Sequence, residues 1–255
     1  MAERDLGVWL YAVGRELAEP EATGLTGVDA EPVRTIHSGA LTAMVGSVDL
    51  ATFGEEGLRD RLNDLDQLER IARAHHRVVS VAAGQGPVIP ARLATVYHDD
   101  DGIRRALAEQ QDAFEGALDR IEGRQEWGVK VYAEPMPAAD EERARPTSGA
   151  AYLRSRESAL HQRERAQRSV LAGAEAVHRA LLPFVIAIQR HRPQDERLSG
   201  DRRWMVLNDA YLVAEDRVDA FTTAVRDAAR QQPDLAVELT GPWPPYSFAN
   251  AGEDT

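Results

Sequence analysis

The fold of the first half of the chain is decided by the segment VRTIHSGALTAMVGSVDL, residues 33–50. Two runs rich in β-branched and apolar residues meet at Ser38-Gly39, which predicts a β-hairpin. Residues that can share one face of the second strand alternate along it: Leu41, Ala43 and Val45. Upstream, the apolar run GVWLYAVG at 7–14 is bounded by glycines and predicts a buried strand.

Downstream of the hairpin, the apolar spacing changes to three and four residues over 57–83, which predicts a helix. Its apolar stripe is Leu58, Leu62, Leu65, Leu68, Ala72, His75 and Val79. The segment 88–97 predicts a strand, and Pro90 inside it favours an edge position or a bulge. A second helix over 99–121 and a strand over 127–135 follow.

A composition break over 135–147, with three prolines and many charges, predicts a domain boundary. Beyond it, a helical pattern runs over 148–182, with an apolar seam of Leu153, Leu160, Val170, Ala174, Val177 and Leu181. Strands are predicted over 183–191, 203–213 and 235–241, a polar loop over 190–203 and a helix over 215–232.

The pattern of helices and strands along the whole chain predicts an α+β protein. It has an N-terminal ferredoxin-like α/β sandwich domain, residues 1–136, with two helices on one face of its sheet. A C-terminal α+β domain with the long helix and the Pro/aromatic tail covers 147–255.

Composition restricts the class of function. The 255 residues carry a formal charge of −12, with 43% hydrophobic and 28% charged residues, which predicts a globular protein rather than a nucleic-acid binder. The absence of cysteine removes disulfides and thiolate chemistry and fits a reducing cytoplasm. The N-terminus lacks a signal-peptide pattern, and no apolar run approaches the roughly 20 residues of a membrane helix.

Common catalytic signatures are missing from the sequence: there is no phosphate-binding loop, dinucleotide fingerprint, HExxH or GxSxG motif. We therefore expect neither a catalytic site nor a bound metal or other cofactor. The nearest approach to a metal site is His75-His76, but adjacent helical residues point about 100° apart and cannot readily bind one ion. His75 lies on the apolar stripe, which favours a packed structural histidine.

Two further polar features have a structural and a functional interpretation. The acidic run Asp99-Asp100-Asp101 could bind a cation, but its place before a helix favours capping of the free N–H groups. Arg92 interrupts an apolar strand, where it forms a structural ion pair or meets an anionic ligand.

The long helix carries an excess of basic residues over acidic ones. Between Thr147 and Leu182, six arginines face three glutamates, which gives a local charge of +3. The arginines proposed to contact a partner are Arg154, Arg156, Arg163, Arg165 and Arg168. They either pair with acidic neighbours in the same protein or form a docking surface for an acidic partner.

The segment LTGPWPPYSF, residues 239–248, concentrates prolines and aromatics near the end of a polar chain. Its prolines favour an extended run, around which Trp243, Tyr246 and Phe248 alternate. We favour a plug that covers one end of the C-terminal sheet, because a free tail with three exposed aromatics promotes aggregation. The alternative is an exposed segment that a partner holds.

The order of these segments resembles the gas vesicle protein F/L family over residues 6–249. The matching segments are VWLYAV, GLTGVDAEPVRTIHSGALTAMVGSV, HHRVV, PVIPARLATVY, EWGVKVY, GAAYLRSR, MVLNDAYLV and LTGPWPPYSF. Each is weak alone, and the final GPWPPYSF is the strongest. The sequence departs from the family pattern PxRFGTxF at one strand, where Leu93 and Ala94 replace phenylalanine and glycine.

The resemblance implies a two-domain accessory or minor structural protein of gas vesicles, the gas-filled shells of buoyant microbes. It implies a non-enzymatic role in assembly, with the hydrophobic shell protein and other accessory proteins as partners. Location at the gas vesicle in the cytoplasm follows, with no nucleic-acid or membrane partner. One alternative is a small-molecule-binding regulatory protein with its site at Arg92 and the crevice between domains. A second is a hydrolase or transferase with a site around His75, Arg92 and His98.

Overall fold

A computed structural model describes residues 5–20, 24–134, 149–193 and 203–249. They form two compact units: the first contains residues 5–126 and 243–249, and the second contains the rest. The chain passes into the second unit within one strand and returns to the first within its last strand. The predicted linker over 135–147 and most of the predicted polar loop over 190–203 lie outside the described residues.

The first unit is built on a sheet of five strands. They are β1 (Leu6–Gly14), β2 (Val33–Ser38), β3 (Leu41–Asp49), β4 (Val88–Pro90) and β5 (Val96–Tyr97). The strand order is β2-β3-β1-β4, with β5 also paired to β1, and every one of these pairs is antiparallel. Strand β1 is therefore central, between the β2–β3 hairpin on one side and the two short strands on the other.

The predicted hairpin is confirmed. Ser38 and Leu41 form its last pair, and the turn between them has Gly39 at φ 59°, a left-handed conformation that glycine adopts without steric cost. The predicted face of β3 is also confirmed, because Leu41, Ala43 and Val45 belong to one apolar cluster.

Five helices complete the first unit: α1 (Leu50–Phe53), α2 (Glu55–Asn63), α3 (Leu65–Ala83), α4 (Asp100–Glu109) and α5 (Gln111–Ile121). Both long helices predicted from periodicity are thus broken, at Asp64 and at Gln110. The Asp64 carboxylate accepts the N–H of Gln67, so that it caps and starts a new helix. As a consequence Leu65 is 76% exposed, although the predicted stripe placed it in the core.

Helices cover both faces of this sheet. One apolar cluster joins the sheet to α4 and α5, through Ile103, Leu107 and Leu118. The other joins its opposite face to α1, α2 and α3, through Phe53 and Val79. The α+β class is confirmed, but the helices are distributed differently from the predicted ferredoxin-like sandwich, which had both on one face. The physical reason is that β1 is apolar on both faces, so each face requires cover.

The predicted strand over 88–97 is interrupted by a turn, so that only β4 and β5 remain of it. Between them Ala94 has φ 72°, and the carbonyl of Arg92 accepts both the amide and the hydroxyl of Thr95. A left-handed conformation is unfavourable for alanine, because its Cβ approaches the backbone. The strand prediction was wrong for these middle residues.

The described part of the second unit contains a sheet of order β7-β8-β6-β9 and two α-helices. Its elements are β6 (Arg124–Ala133), α6 (Gly149–Leu181), β7 (Ala187–Arg190), β8 (Trp204–Ala214), α7 (Val218–Gln231) and β9 (Leu235–Trp243). Its core holds Val129, Val131, Ala174, Val177, Leu181, Leu207, Tyr211, Val213, Phe221, Val225 and Ala228. The strand predicted over 127–135 was assigned to the first domain, yet β6 lies in this second sheet. Local periodicity identifies a strand but not its neighbours.

The turn at Ala94 gives the first testable prediction. Ala94→Gly should raise the free energy of unfolding by roughly 0.5–1 kcal/mol. Relief of left-handed strain, about 1–2 kcal/mol, exceeds the added freedom of glycine in the unfolded chain. Urea denaturation followed by circular dichroism measures the change.

Ala113→Gly is the matched control, because Ala113 is exposed within α5. There the same substitution should lower the free energy of unfolding by about 0.5–1 kcal/mol. Equal destabilisation by both substitutions would contradict a strained Ala94.

Candidate functional site

His75 is buried in the first unit and holds three elements together. The indole Nε1–H of Trp9 donates to Nδ1 of His75 over 3.0 Å. The proton of this imidazole is therefore on Nε2, which donates to the carbonyl of Ala91 over 3.1 Å. Burial lowers the pKa of His75 to about 4, so that the ring is neutral at pH 7. The structural interpretation of His75 is confirmed.

His76 meets a different environment. Its Nδ1 lies 3.3 Å from the hydroxyl of Tyr246, its Nε2 lies 3.4 Å from Oγ of Ser80, and its ring contacts Trp243 edge-on at 5.6 Å between centroids. The two adjacent histidines thus bind nothing in common, as their separation around the helix predicts. Over the ranges that the structure describes, no group of three His, Asp or Glu side chains could hold a metal ion.

The acidic run at the start of α4 forms a cap and ion pairs. Asp99 accepts the N–H of Gly102, which confirms the predicted cap. Asp100 accepts two hydrogen bonds from the guanidinium of Arg34, and Asp101 pairs with Arg104. The structure thus supports the capping interpretation of this run.

The tail turns back on itself rather than running extended. Strand β9 continues to Trp243, after which Tyr246 N–H donates to the Pro244 carbonyl and Ala249 N–H to that of Pro245. Phe248 and the buried Ala249 contact the apolar cluster of β1, β3, α4 and α5. The tail was predicted to cover one end of the C-terminal sheet, and that location was wrong. The tail packs instead into the core of the first unit.

A buried carboxylate fixes this tail. Glu126 accepts both the backbone N–H and the hydroxyl of Ser247, each over 2.8 Å. Burial raises the pKa of Glu126, and the two donors from Ser247 oppose that shift by stabilising the ionised form. Burial also raises the pKa of Tyr246 to about 12, with a contribution from the nearby Glu126 charge.

Two of the three aromatic side chains proposed to contact a partner remain accessible. Trp243 is 43% exposed and Tyr246 38% exposed, and together with His76 they form an aromatic patch on the first unit. Phe248 is half-buried against the core. The segment therefore combines both interpretations made from the sequence: one aromatic stabilises the core, and two face solvent.

The basic arm, residues 154–169 of α6, extends the helix beyond the core of the second unit. Its described residues are exposed apart from Ala159, which is intermediate. The five arginines proposed to contact a partner all lie on it and are exposed: Arg154, Arg156, Arg163, Arg165 and Arg168. Leu160, placed in the core by the predicted seam, is 54% exposed, whereas Ala174, Val177 and Leu181 are buried as predicted. The side chain of Leu153 lies outside the described residues.

Arg92 is exposed on the loop between β4 and β5. The predicted alternation with Pro90 and Ala94 along one strand is absent, because the turn at Ala94 separates the two short strands. Arg92 is thus a loop residue rather than part of a sheet face.

An apolar groove on the first unit was missed by the sequence analysis. This α2–β5 groove encloses about 550 Å³ and is lined by Phe53, Leu58, Leu62, Val96 and Tyr97, among others. Glu55, Arg59 and His98 contribute its polar lining. Leu58 and Leu62 belong to the predicted stripe and pack in the apolar cluster of α1, α2 and α3, but only the fold shows that they also meet β5 along an open groove.

A buried polar cluster in the second unit was also missed. Nδ1 of His178 lies 2.9 Å from both Oδ2 of Asp209 and the hydroxyl of Tyr211, and that hydroxyl donates to Oδ2 of Asp209. Burial and the Asp209 charge raise the pKa of Tyr211. The cluster joins α6 to β8, and no sequence spacing relates residues so far apart.

A third buried cluster fastens the loop before β2. Tyr11 donates to the carboxylate of Glu31 and accepts from the N–H of Val28, while Asp29 N–H donates to the other Glu31 oxygen. Burial raises the pKa of both Tyr11 and Glu31. These groups are fully engaged in holding the loop, which favours a structural role.

No helix among the described residues has the length and apolar character required to cross a bilayer.

Comparisons with known proteins agree over nearly the whole chain. The model of a family described as "Gas vesicle synthesis protein GvpL/GvpF" matches residues 7–250. Gas vesicle protein L of Streptomyces sp. (strain CB03234) is 43% identical over 251 residues, which cover 96% of this chain and 94% of that protein. Gas vesicle protein F of the same strain is 28% identical over 262 residues, with 95% and 99% covered.

Solved structures show the same fold at low identity. The crystal structure of GvpF from Anabaena sp. PCC7120 matches with a TM-score of 0.68 and 17% identity, covering 97% of this chain and 98% of that one. GvpF from Microcystis aeruginosa matches with a TM-score of 0.67 and 17% identity, covering 96% and 99%.

The neutral His75 predicts a loss of stability in acid. Its folded-state pKa of about 4 lies below the ordinary value of 6.5, so its contribution is complete above pH 6.5 and is lost as the pH falls towards 4. The full loss is roughly 3 kcal/mol, since one pKa unit corresponds to about 1.36 kcal/mol. Urea denaturation midpoints measured from pH 7.5 to 4.5 report this loss of folding stability.

His75→Gln keeps an acceptor and a donor but cannot gain a proton, so the variant should show a flatter dependence over this range. His161→Gln, on the exposed arm, is the control and should retain the wild-type profile. If His75→Gln and wild type lose stability in parallel, the neutral buried histidine is refuted.

Phe248 predicts that the tail contributes to folding stability. Phe248→Ala should lower the free energy of unfolding by about 2 kcal/mol, because it removes a half-buried ring from the core of the first unit. Tyr246→Ala should lower the free energy of unfolding by about half as much, because the Tyr246 side chain is 38% exposed. Thermal and urea denaturation compare the two, and an equal or larger loss for Tyr246→Ala would contradict the anchoring role of Phe248.

Proposed function

Because the chain belongs to the GvpL/GvpF family of gas vesicle synthesis proteins, we propose that it is an accessory protein of gas vesicle assembly. Family membership gives it a gas vesicle-related role, and the motif order in the sequence predicted this family. Its proposed task is to bind the hydrophobic shell protein and other accessory proteins at the gas vesicle in the cytoplasm. Identities of 43% to an L protein and 28% to an F protein of one strain favour an L-like member.

The α2–β5 groove is the observation that supports this task best. A hydrophobic shell subunit exposes apolar surface that aggregates unless it is covered. Aromatic and aliphatic side chains line the groove, and its volume of about 550 Å³ suits several apolar side chains of a partner segment. The net charge of −12 would keep the resulting complex dispersed and disfavours nucleic acid as the partner.

We also propose that the role is not enzymatic. Three of the groups whose pKa is shifted by burial are engaged in contacts that hold the fold together: His75 joins α3 to β1, Glu126 holds the tail, and Glu31 fastens a loop. A binding task needs no catalytic residue and no cofactor. A small-molecule-binding role is the second candidate, because the groove has the volume typical of such pockets, about 300–1,000 Å³.

The test is co-expression of this chain with the shell protein encoded in the same organism, followed by affinity purification and a solubility assay. Leu62→Asp places a carboxylate in the groove and should lower the retained shell protein by about tenfold, which corresponds to about 1.4 kcal/mol. Leu65→Asp is the matched control, since it introduces the same charge three residues away on an exposed side chain.

The control should retain the shell protein within about twofold of wild type. Thermal melting of both variants confirms that they are folded. Failure of the wild type to retain or solubilise the shell protein refutes the binding role. If wild type and Leu62→Asp retain equal amounts of shell protein, the groove is not its binding site. If a small metabolite raises the melting temperature of the wild type but not of Leu62→Asp, the small-molecule-binding role is supported instead.

A further inference from the structure

The basic arm carries exposed side chains on a long helix. Helix α6 has 33 residues, about 50 Å at 1.5 Å per residue, and the exposed arm occupies its N-terminal part. Residues 154–168 carry five arginines and two glutamates, a charge of +3, so the rest of the chain sums to −15 because the total is −12. An exposed basic helix in an otherwise acidic protein is suited to an acidic partner surface.

Such a surface lies in the second unit itself. The α6–α7 groove, between the C-terminal part of α6 and α7, encloses about 590 Å³. Four of its nine lining residues are alanines, including Ala180 and Ala224, so that another helix can approach closely. The charged residues among its described lining are two carboxylates, Asp219 and Asp227. Asp227 also pairs with Arg230 at 3.0 Å, but both are exposed and such a pair exchanges readily.

The arm presents a complementary face on the same side of α6. Arg154, Ser158, Gln162 and Arg165 line one shallow depression along it, together with Glu157 and His161. Gln162 and Ala180 are 18 residues apart, which is five turns of 3.6 residues, so they lie on one line along the helix. Arg154 and Arg165 lie within about 80° of that line, which the length of an arginine side chain can span. A continuous helix cannot fold this face onto its own groove, so a contact between these two surfaces needs a second molecule.

We propose that two copies of this chain associate through antiparallel α6 helices, with the basic arm of each in the α6–α7 groove of the other. Antiparallel pairing places Gln162 of each copy near Ala180 of the other, so both contacts form together around a two-fold axis near residue 171 of α6. Arg154 and Arg165 of each arm then meet Asp219 and Asp227 of the second copy. This association goes beyond the proposed binding of shell protein and is tested without it.

The test measures the mass of the purified full-length chain by sedimentation equilibrium over a range of concentrations. The wild type should form a dimer whose dissociation constant rises at high salt, because the contact between charges is exposed to screening. The double variant Arg154→Glu/Arg165→Glu should weaken the dimer by at least about tenfold, since it opposes two pairs of like charges. Asp219→Arg/Asp227→Arg should do the same.

Mixing these two double variants is the decisive experiment. Each alone sets like charges against each other, but a mixed pair restores opposite charges at both contacts, so a heterodimer should form. The control is Arg156→Glu/Arg163→Glu, which makes the same charge change on another side of the arm and should leave the dimer intact within about twofold.

A wild type that stays monomeric at the highest concentration overturns the proposal. So does equal weakening by the control variant, or a mixture that yields no heterodimer. None of these outcomes bears on retention of the shell protein, so failure here is distinguishable from failure of the proposed function.

Discussion

The first unit depends on one hydrogen-bonded chain that runs from the Trp9 indole through His75 to the carbonyl of Ala91. It joins the central strand β1, helix α3 and the segment that leaves β4, all at a position from which water is excluded. Each buried polar group in it has its partner, so desolvation is compensated only while all three elements keep their places. A neutral imidazole is required, because a protonated one would present a second donor to the indole N–H.

The position of α3 has consequences on both of its sides. The inward His75 fixes the helix against β1, and the next residue, His76, then meets Trp243 and Tyr246 of the returning tail. Glu126 and Ser247 fix the same tail from the other direction, and Phe248 fills the core cluster of α4 and α5. Residues far apart in the sequence thus complete a single unit, and its stability depends on a chain end that composition alone assigns to the other domain.

The surfaces left outside these cores differ in chemistry between the two units. The first unit exposes an apolar groove and an aromatic patch, which suit hydrophobic partners. The second exposes a basic helix arm and an alanine-lined groove with two carboxylates, which suit each other. The first kind of surface is the one that we propose for the hydrophobic shell subunit. In the dimer that we propose, the second kind of surface would bring two such apolar grooves together, which raises their effective concentration for a partner.

The sequence by itself determined the features that depend on neighbours along the chain. Periodicity predicted the long helix α6 and the burial of His75. The residue types at a turn and at a helix start predicted the hairpin at Gly39 and the cap at Asp99, because each depends on local hydrogen bonding. The tertiary structure alone decided what covers each apolar face. It placed helices on both sides of β1, moved β6 into the second sheet, exposed Leu65 and Leu160, and returned the tail to the first unit. The hydrophobic period of a segment shows that one of its faces is apolar. Burial of that face requires contact with a segment distant in the sequence, and a local pattern does not identify that segment.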